Sequence, residues 1–335
     1  MKGKALPALC PPPLRPGDTI GLFTSSYPLA QEAPEAAGLA MSRLRALGYQ
    51  VKPGILMNSR DCYRSGSIQE RAQELNALLA DDSVQCVMAT VGGMASNSIL
   101  PYIDYEQIRR TPKIIIGHSD VTAILLGVYA MTGLVTYYGP NLVTTFGQYP
   151  PLLDATERCF AEVLGGYTPP YSYRKPEVYS QELTLWSQGP TPKEPQPNRW
   201  VTVRGGQASG RLIGGNLNTL TGIAGSPYMP EIRQGDILFL EDTEKFAAHA
   251  ERYFSWLKLC GVFRRAGGLI LGKHRQFDSQ GTGRTPAQIL LEVIGQPDFP
   301  ILADFDCCHT VPMLTLPLGK RVQLDGDSQT VTLLE

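Results

Sequence analysis

A β-branched run, Lys113-Ile114-Ile115-Ile116-Gly117, stops abruptly at His118-Ser119-Asp120 and gives way to an uncharged stretch from Val121 to Gly133. The run has the character of a buried strand, and the stretch behind it is too long for another strand and suits a helix packed on a sheet. Ser119 therefore sits at a strand-to-helix elbow. A hydroxyl there projects above the sheet edge, and backbone N–H groups at the helix start can face an anion formed beside it. Hydrolases place a nucleophile at such a point. The segment departs from G-x-S-x-G, since Val121 stands where the second Gly would be. The same residues also fit a Ser that caps the helix with Asp120 in its first turn.

Strand and helix patterns alternate around this elbow: Thr19 to Phe23, a helical stretch from Ala33 to Leu47, and Val84 to Ala89. Glu70 to Leu79 adds an amphipathic helix with Ala72, Leu75, Leu78 and Leu79 on one face. Strands separated by helices predict a parallel sheet. Between Gly165 and Trp200 seven prolines interrupt any regular element, which marks a linker or a functional loop. Beyond it come the Gly-rich run Arg211-Leu212-Ile213-Gly214-Gly215-Asn216 and the strand Asp236 to Leu240. A helix from Ala250 to Leu259 follows, then strands at Gly268 to Leu271, Pro300 to Phe305, Leu314 to Gly319 and Val331 to Leu333. The expected division is an α/β unit over 1–165 carrying the elbow, a Pro-rich linker and substrate loop over 166–205, and a β-rich unit over 206–335.

The chain has 335 residues, 43% hydrophobic and 18% charged, enough to bury a large core in about two domains. A net charge of -1 without any Lys/Arg run argues against a nucleic-acid polymer as partner. Seven scattered cysteines do not resemble the disulfide framework of a small secreted domain, so a reducing cytoplasm is expected. Lys2 and Lys4 precede only a short apolar piece that runs into Pro11-Pro12-Pro13, unlike a signal-peptide core. The longest uncharged stretch, Val121 to Val135, falls short of the roughly 20 residues that cross a bilayer, so no membrane association is expected.

An activated serine needs a base within reach and a third group to orient it. His309, in Asp306-Cys307-Cys308-His309-Thr310, follows an apolar strand and precedes a proline, a loop position from which it can reach across a cleft. His118 adjoins Ser119 and should point to the opposite face; His249 and His274 read as solvated or structural. Glu241-Asp242 ends the strand Ile237-Leu238-Phe239-Leu240, and position alone does not choose between the two acids. Val91-Gly92-Gly93-Met94 follows a strand with two glycines that let backbone approach a ligand, so the amides of Gly93 and Asp120 are natural oxyanion donors. There is no H-E-x-x-H, no C-x-x-C and no Walker loop; Cys307 and Cys308 lack ligand spacing and read as packing residues. No metal or other cofactor is expected.

These residues, together with Tyr63-Arg64-Ser65-Gly66-Ser67, Ser96-Asn97-Ser98-Ile99-Leu100-Pro101-Tyr102, Leu212-Ile213-Gly214-Gly215-Asn216-Leu217-Asn218 and Pro312-Met313-Leu314-Thr315-Leu316-Pro317-Leu318-Gly319, run in order along nearly the whole chain. The chain resembles the serine carboxypeptidases that include the LD-carboxypeptidases (peptidase family S66), and most closely their microcin C self-immunity branch. The resemblance implies Ser119 as nucleophile, His309 as base and Glu241 as its orienting acid, with the Gly93 and Asp120 amides on the oxyanion. It implies a flavodoxin- or Rossmann-like parallel-sheet N-terminal domain facing a smaller β-rich C-terminal domain, usually as a homodimer. By resemblance, Trp186 in Leu183-Thr184-Leu185-Trp186-Ser187 stacks on the adenine of a peptidyl adenylate, while Asn218 and Lys245 approach its nucleotide portion. The implied reaction cleaves a peptidyl (aspartyl) carboxyl group from a modified nucleotide. The alternatives are a murein LD-carboxypeptidase that releases terminal D-Ala from a muropeptide, and a catalytically silent nucleotide or peptide binder.

Overall fold

The computed structural model describes residues 8–335, so Lys2 and Lys4 lie outside the described residues. Five parallel strands form the first sheet in the order Gln50–Pro53, Thr19–Phe23, Cys86–Ala89, Ile114–Gly117 and Thr136–Tyr138. A sixth, Leu316–Leu318, joins antiparallel from near the end of the chain. This is the flavodoxin-like order, in which ligands bind outside the strand ends beside the first strand, where chain progression across the sheet reverses. The Pro53 strand lies at the outer edge, where a missing N–H does no harm. The sequence-read helices lie over Pro34–Ala46 and Ile68–Ala80, the second opened by a Ser67/Glu70 capping box.

The uncharged stretch after Ser119 is a short 3₁₀ turn, Ser119–Val121, continuing into the helix Thr122–Thr132. Its lack of charge has a physical reason, because it is buried on all sides. Ala123, Ile124, Leu125, Leu126 and Val128 are inaccessible to solvent, and burial of each large one contributes about 1.5 to 3 kcal/mol. The helix covers its own sheet and also meets the second one. The Asn216 N–H donates to Thr122 Oγ1 (3.1 Å), and Arg211 Nη1 donates to the Tyr129 hydroxyl (3.2 Å). Gly215 (φ 150°) faces Thr122 so closely that a Cβ there would lie 2.5 Å from the threonine methyl carbon. The Gly-rich run thus lets the two sheets close on one helix.

The second sheet has eight strands. Its centre is parallel, through Gln207–Asn216, Asp236–Glu241, Ala266–Gly272 and Ile301–Phe305. Arg321–Asp325, Thr330–Leu333 and Tyr171–Ser172 extend one side and Val201–Arg204 the other, all antiparallel. Helices Ala247–Leu259 and Pro286–Ile294 complete this half. The Pro-rich segment is an ordered excursion with a small ladder, Val178–Tyr179 against Gln196–Pro197, and a single 3₁₀ turn, Trp186–Gln188. Ser180 pairs through its backbone with Val311 (2.7 and 3.0 Å), which ties the excursion to the loop carrying His309. No helix among the described residues is long and apolar enough to cross a membrane.

Candidate functional site

Strand Ile114–Gly117 ends in extended His118, and Ser119 then takes a left-handed backbone, φ 63°. That conformation costs a non-glycine residue about 1 to 3 kcal/mol and persists only where the surroundings hold it. Here the Ser119 N–H donates to the Tyr138 hydroxyl (3.0 Å) at the end of the neighbouring strand. No side-chain cap bond is made at this helix start, so the helix-cap reading of Ser119 fails. Asp120 turns inward, and its carboxylate accepts from the Ser96 N–H (2.8 Å), fastening the glycine turn to the elbow. Burial pushes its carboxyl up against the hydrogen bonds it receives.

The glycine turn fits against Ser119. A Cβ on Gly92 would sit 2.8 Å from Ser119 Cβ and 3.1 Å from both Ser119 Oγ and the Asp120 backbone nitrogen. Gly93 (φ 143°) lies on Ser26, whose Oγ accepts from the N–H groups of Met94 (3.1 Å) and Ala95 (3.0 Å). The buried Arg71 guanidinium grips the surrounding loops through the carbonyls of Ser25, Gly66 and Ala95.

The acid and the imidazole come from the second sheet. Glu241 ends the strand Asp236–Glu241, fully buried, and its Oε2 lies 2.7 Å from His309 Nδ1. Its Oε1 accepts from the Tyr138 hydroxyl (2.6 Å) and from Asn216 Nδ2 (2.9 Å). Burial pushes this carboxyl up, but the His309 charge and the hydrogen bonds from His309, Tyr138 and Asn216 hold it down at about 2. With Nδ1–H donating to Glu241, His309 Nε2 is left as an acceptor. That atom is buried and has no hydrogen-bond partner among the described residues. Asp242, one residue on, points elsewhere and pairs with the Thr243 N–H (2.9 Å); burial and the Glu241 charge raise it to about 6. Between the two acids that the sequence left open, the imidazole is on Glu241.

His118 packs edge-on against His309 (5.1 Å between ring centres), and burial, then the His309 charge, lowers it to about 3. It stays neutral, with Nδ1 against the Gly139 carbonyl (3.1 Å). His274 is held against the Gly272 carbonyl, and His249 lies in the first turn of the helix that starts at Ala247. Cys307 and Cys308 are buried thiols pushed up by burial, Cys308 to about 12, and so are inert packing groups. Among the described residues no group of three or more His, Cys, Asp or Glu could hold a metal ion.

Ser119, His309, Gly92, Gly93, Trp186 and Arg275 line one cavity of about 120 Å³ between the two halves. A larger cleft of about 550 Å³ lies on the other side of Thr310 and contains none of the predicted residues. Asn218 and Lys245 do not line the serine cavity. Asn218 Oδ1 accepts from the Tyr253 hydroxyl (2.8 Å), and Lys245 donates to the Thr243 carbonyl (3.2 Å), 3.8 Å from the Asp242 carboxylate. Sequence reasoning missed Tyr138, Asn216, Ser26, Arg71 and Arg275. The available signal was position alone, since Tyr138 and Asn216 each close an apolar strand.

Models of the LD-carboxypeptidase N-terminal and C-terminal domains match residues 20–139 and 209–324. A Vibrio cholerae protein is 50% identical over 317 residues, 95% of each chain. The microcin C7 self-immunity protein MccF of Escherichia coli is 47% identical over 326 residues, 96% of this chain and 95% of that one. The structure of MccF in complex with aspartyl sulfamoyl adenosine superposes with a TM-score of 0.95 at 47% identity, covering 98% of each chain. Two domain models matched in order, and close relatives aligned from end to end, make the chain a member of the LD-carboxypeptidase family of peptidases.

Proposed function

We propose that the protein is a serine carboxypeptidase that hydrolyses the bond between a peptidyl or aspartyl carboxyl group and a modified nucleotide, conferring self-immunity of the microcin C type. The observation that carries this reading is the buried Glu241–His309 pair (2.7 Å), whose unpartnered Nε2 belongs to a residue lining the same cavity as the strained Ser119. Ser119 Oγ attacks the acyl carbon while His309 Nε2 takes its proton, and Glu241 stabilises the imidazolium. The oxyanion faces the N–H groups of Gly93 and Asp120. The imidazolium then protonates the leaving nitrogen, the nucleotide part departs, and water attacks the acyl-enzyme with His309 as base.

Trp186, on the cavity wall, stacks on the leaving base, a contact that contributes about 1 to 3 kcal/mol. Asn218 and Lys245 act from the neighbouring turn on the anionic linker. Support for the substrate class comes from the likeness to MccF, solved with aspartyl sulfamoyl adenosine and glutamyl sulfamoyl guanosine. The proposal includes a homodimer working in the cytoplasm without a cofactor, and the seven free cysteines support a reducing compartment.

The test is mass spectrometry of products from wild type and Ser119→Ala, each incubated with a peptidyl-aspartyl adenylate and, separately, with a murein tetrapeptide. Serine-dependent release of the nucleotide part is the expected result. Release of D-Ala alone would move the protein to cell-wall turnover, and turnover that persists in Ser119→Ala would sink the mechanism.

A further inference from the structure

The larger cleft, of about 550 Å³, lies at the carboxyl ends of the strands Ala266–Gly272 and Ile301–Phe305, beside the first turn of the helix Pro286–Ile294. Open parallel sheets place their ligands at such a point. Three polar groups in its lining are left over from the packing around them, and all three accept hydrogen bonds. Asn198 Nδ2 donates to the Pro176 carbonyl (2.9 Å) and to Asp306 Oδ2 (2.7 Å), which fixes the amide and leaves Oδ1 buried without a partner among the described residues. His274 Nδ1 lies 3.1 Å from the Gly272 carbonyl, and since a carbonyl only accepts, the proton is on Nδ1 and Nε2 is an acceptor. Nε2 is also buried and unpartnered among the described residues, and burial holds the ring below the usual histidine range, so it stays neutral.

The third group is the half-buried Asp304 carboxylate. Asp304 takes a left-handed backbone (φ 58°) where the register between its strand and Ala266–Gly272 shifts, an irregularity of the kind that re-aims a side chain. Burial raises its carboxyl, the charges of Lys273 and Arg199 oppose that rise, and it receives no hydrogen bond among the described residues. The cations of the lining do not complete these groups. Lys273 donates to the Asp304 carbonyl and to Asp306 Oδ1 (2.6 Å), with its ammonium over the Tyr179 ring (5.0 Å). Arg199 is exposed, where solvent and salt screen it. An anion in this cleft would meet three acceptors, whereas a primary ammonium brings three N–H donors and a charge that complements Asp304. The substrate has a source for such a group, because Thr310 lines both this cleft and the serine cavity. The serine cavity, about 120 Å³, holds only a few water-sized groups and has no room for a peptide chain behind the acyl residue.

We infer that the larger cleft receives the peptidyl chain that precedes the attacked carbonyl and holds its amino-terminal ammonium among Asn198 Oδ1, His274 Nε2 and the Asp304 carboxylate. This rests on the function proposed above and adds a site for the amino end of the substrate. Asp304 is thus a binding residue and takes no part in proton transfer.

The test compares kcat/KM on aspartyl adenylates extended by a series of alanines, each with a free and with an acetylated amino terminus, for wild type and Asp304→Asn. Asparagine tolerates the left-handed backbone of this position, so the variant changes the charge and keeps the fold. At the length that reaches the cleft, wild type should prefer the free terminus by about 10-fold through KM, the scale of one charge-assisted hydrogen bond. Asp304→Asn should bring that ratio close to one and leave kcat on the unextended aspartyl adenylate unchanged. A ratio near one at every length in wild type would overturn the inference, and so would equal losses on free and acetylated compounds in Asp304→Asn, the mark of a structural role. Calorimetric titration with trialanine separates the source of the amine: binding that Asp304→Asn abolishes, combined with flat ratios, would assign the cleft to a separate amine and reject the placement of the peptidyl chain. Wild type inert on every adenylate would overturn the functional reading. The trialanine titration needs no turnover and would then decide the ammonium site alone, with binding lost in Asp304→Asn supporting it and no binding to wild type rejecting it.

Discussion

The two sheets meet carboxyl end to carboxyl end, and the two edges are built from different materials. The edge of the first sheet is shaped backbone: the Gly92-Gly93 turn, the left-handed Ser119 and the hydroxyls of Ser26 and Tyr138, with the buried charges of Asp120 and Arg71 spent on holding backbone N–H and carbonyl groups. The edge of the second is buried charge. Glu241 carries His309, Asp242 sits behind it, and Lys273 pairs with Asp306 (2.6 Å), which also accepts from Asn198 Nδ2 and Trp200 Nε1. One edge supplies geometry and the other supplies a proton acceptor of stable orientation. Tyr138 joins them, since its hydroxyl accepts from the Ser119 N–H and donates to Glu241. A serine site assembled this way depends on both edges and on the join, but by different amounts.

The largest effect should come from removing the charge of the second edge. Glu241→Gln keeps the shape but loses the acceptor that fixes the His309 tautomer, and kcat should fall by about 10⁴-fold in a steady-state assay on the aspartyl nucleotide. A fall of less than tenfold would show that the second edge contributes little beyond packing. Disturbing the shape of the first edge should rank next. Gly92→Ala would put a methyl carbon 2.8 Å from Ser119 Cβ, and relieving that clash moves the serine by about 1 Å, a misplacement that costs about 10²-fold. Labelling by a serine-directed phosphonate should slow in step with kcat; normal labelling would mean that the turn can yield.

Breaking the join should cost less, because the ring remains. Tyr138→Phe keeps the edge-on packing on Phe239 (5.1 Å between ring centres) and removes only the hydroxyl. We expect roughly a tenfold loss of kcat, the scale of about one hydrogen bond. The acid limb of the kcat/KM profile should also move up in pH, since Glu241 with one donor fewer holds the imidazolium more tightly. A profile that does not move would reduce Tyr138 to a packing residue.

The smallest effect on activity, within about threefold, should be that of Asp242→Asn, and its signature lies in stability. Burial, then the Glu241 charge, raises the folded-state value of Asp242 to about 6 from 3.8. The protonated acid is therefore tolerated at pH 4, and stability is lost as pH rises through 6. Melting temperatures of wild type and Asp242→Asn should nearly coincide at pH 4 and separate in favour of the variant by pH 7.5. A gap that closes instead would mean that Lys245, 3.8 Å away, compensates the charge.

Most of the first sheet was legible because its signals are local. The strands at Thr19–Phe23 and Ile114–Gly117 and the helices around Ala36–Leu44 and Ala72–Leu79 follow from runs and periods of apolar residues, and each lies where the pattern placed it. Short strands such as Gln50–Pro53 and Thr136–Tyr138 were not legible, since three or four residues carry no period. Leu316–Leu318 read as a strand, but nothing local says that it completes the first sheet. In the site, Ser119 was visible as an elbow and His309 as a loop residue. Position alone left open their relation and the choice between Glu241 and Asp242, which share one dipeptide and differ only in the side to which each carboxylate points; the family resemblance implied both.

The sequence by itself determined the layered α/β architecture and the elbow, because buried strand, turn and buried helix are written in consecutive residues and obey short-range sterics and hydrophobic periodicity. The tertiary structure puts the Glu241 carboxylate on the imidazole, a pairing that position left open and the resemblance implied, and it alone decided that Tyr138 links the acid to the serine backbone and that Arg275 lines the cavity while Lys245 does not. These partners are separated by 68, 103 and 19 residues in the pairs His309–Glu241, Tyr138–Glu241 and Ser119–Tyr138. Their meeting depends on how two sheets close on one buried helix, a packing outcome that no local pattern encodes.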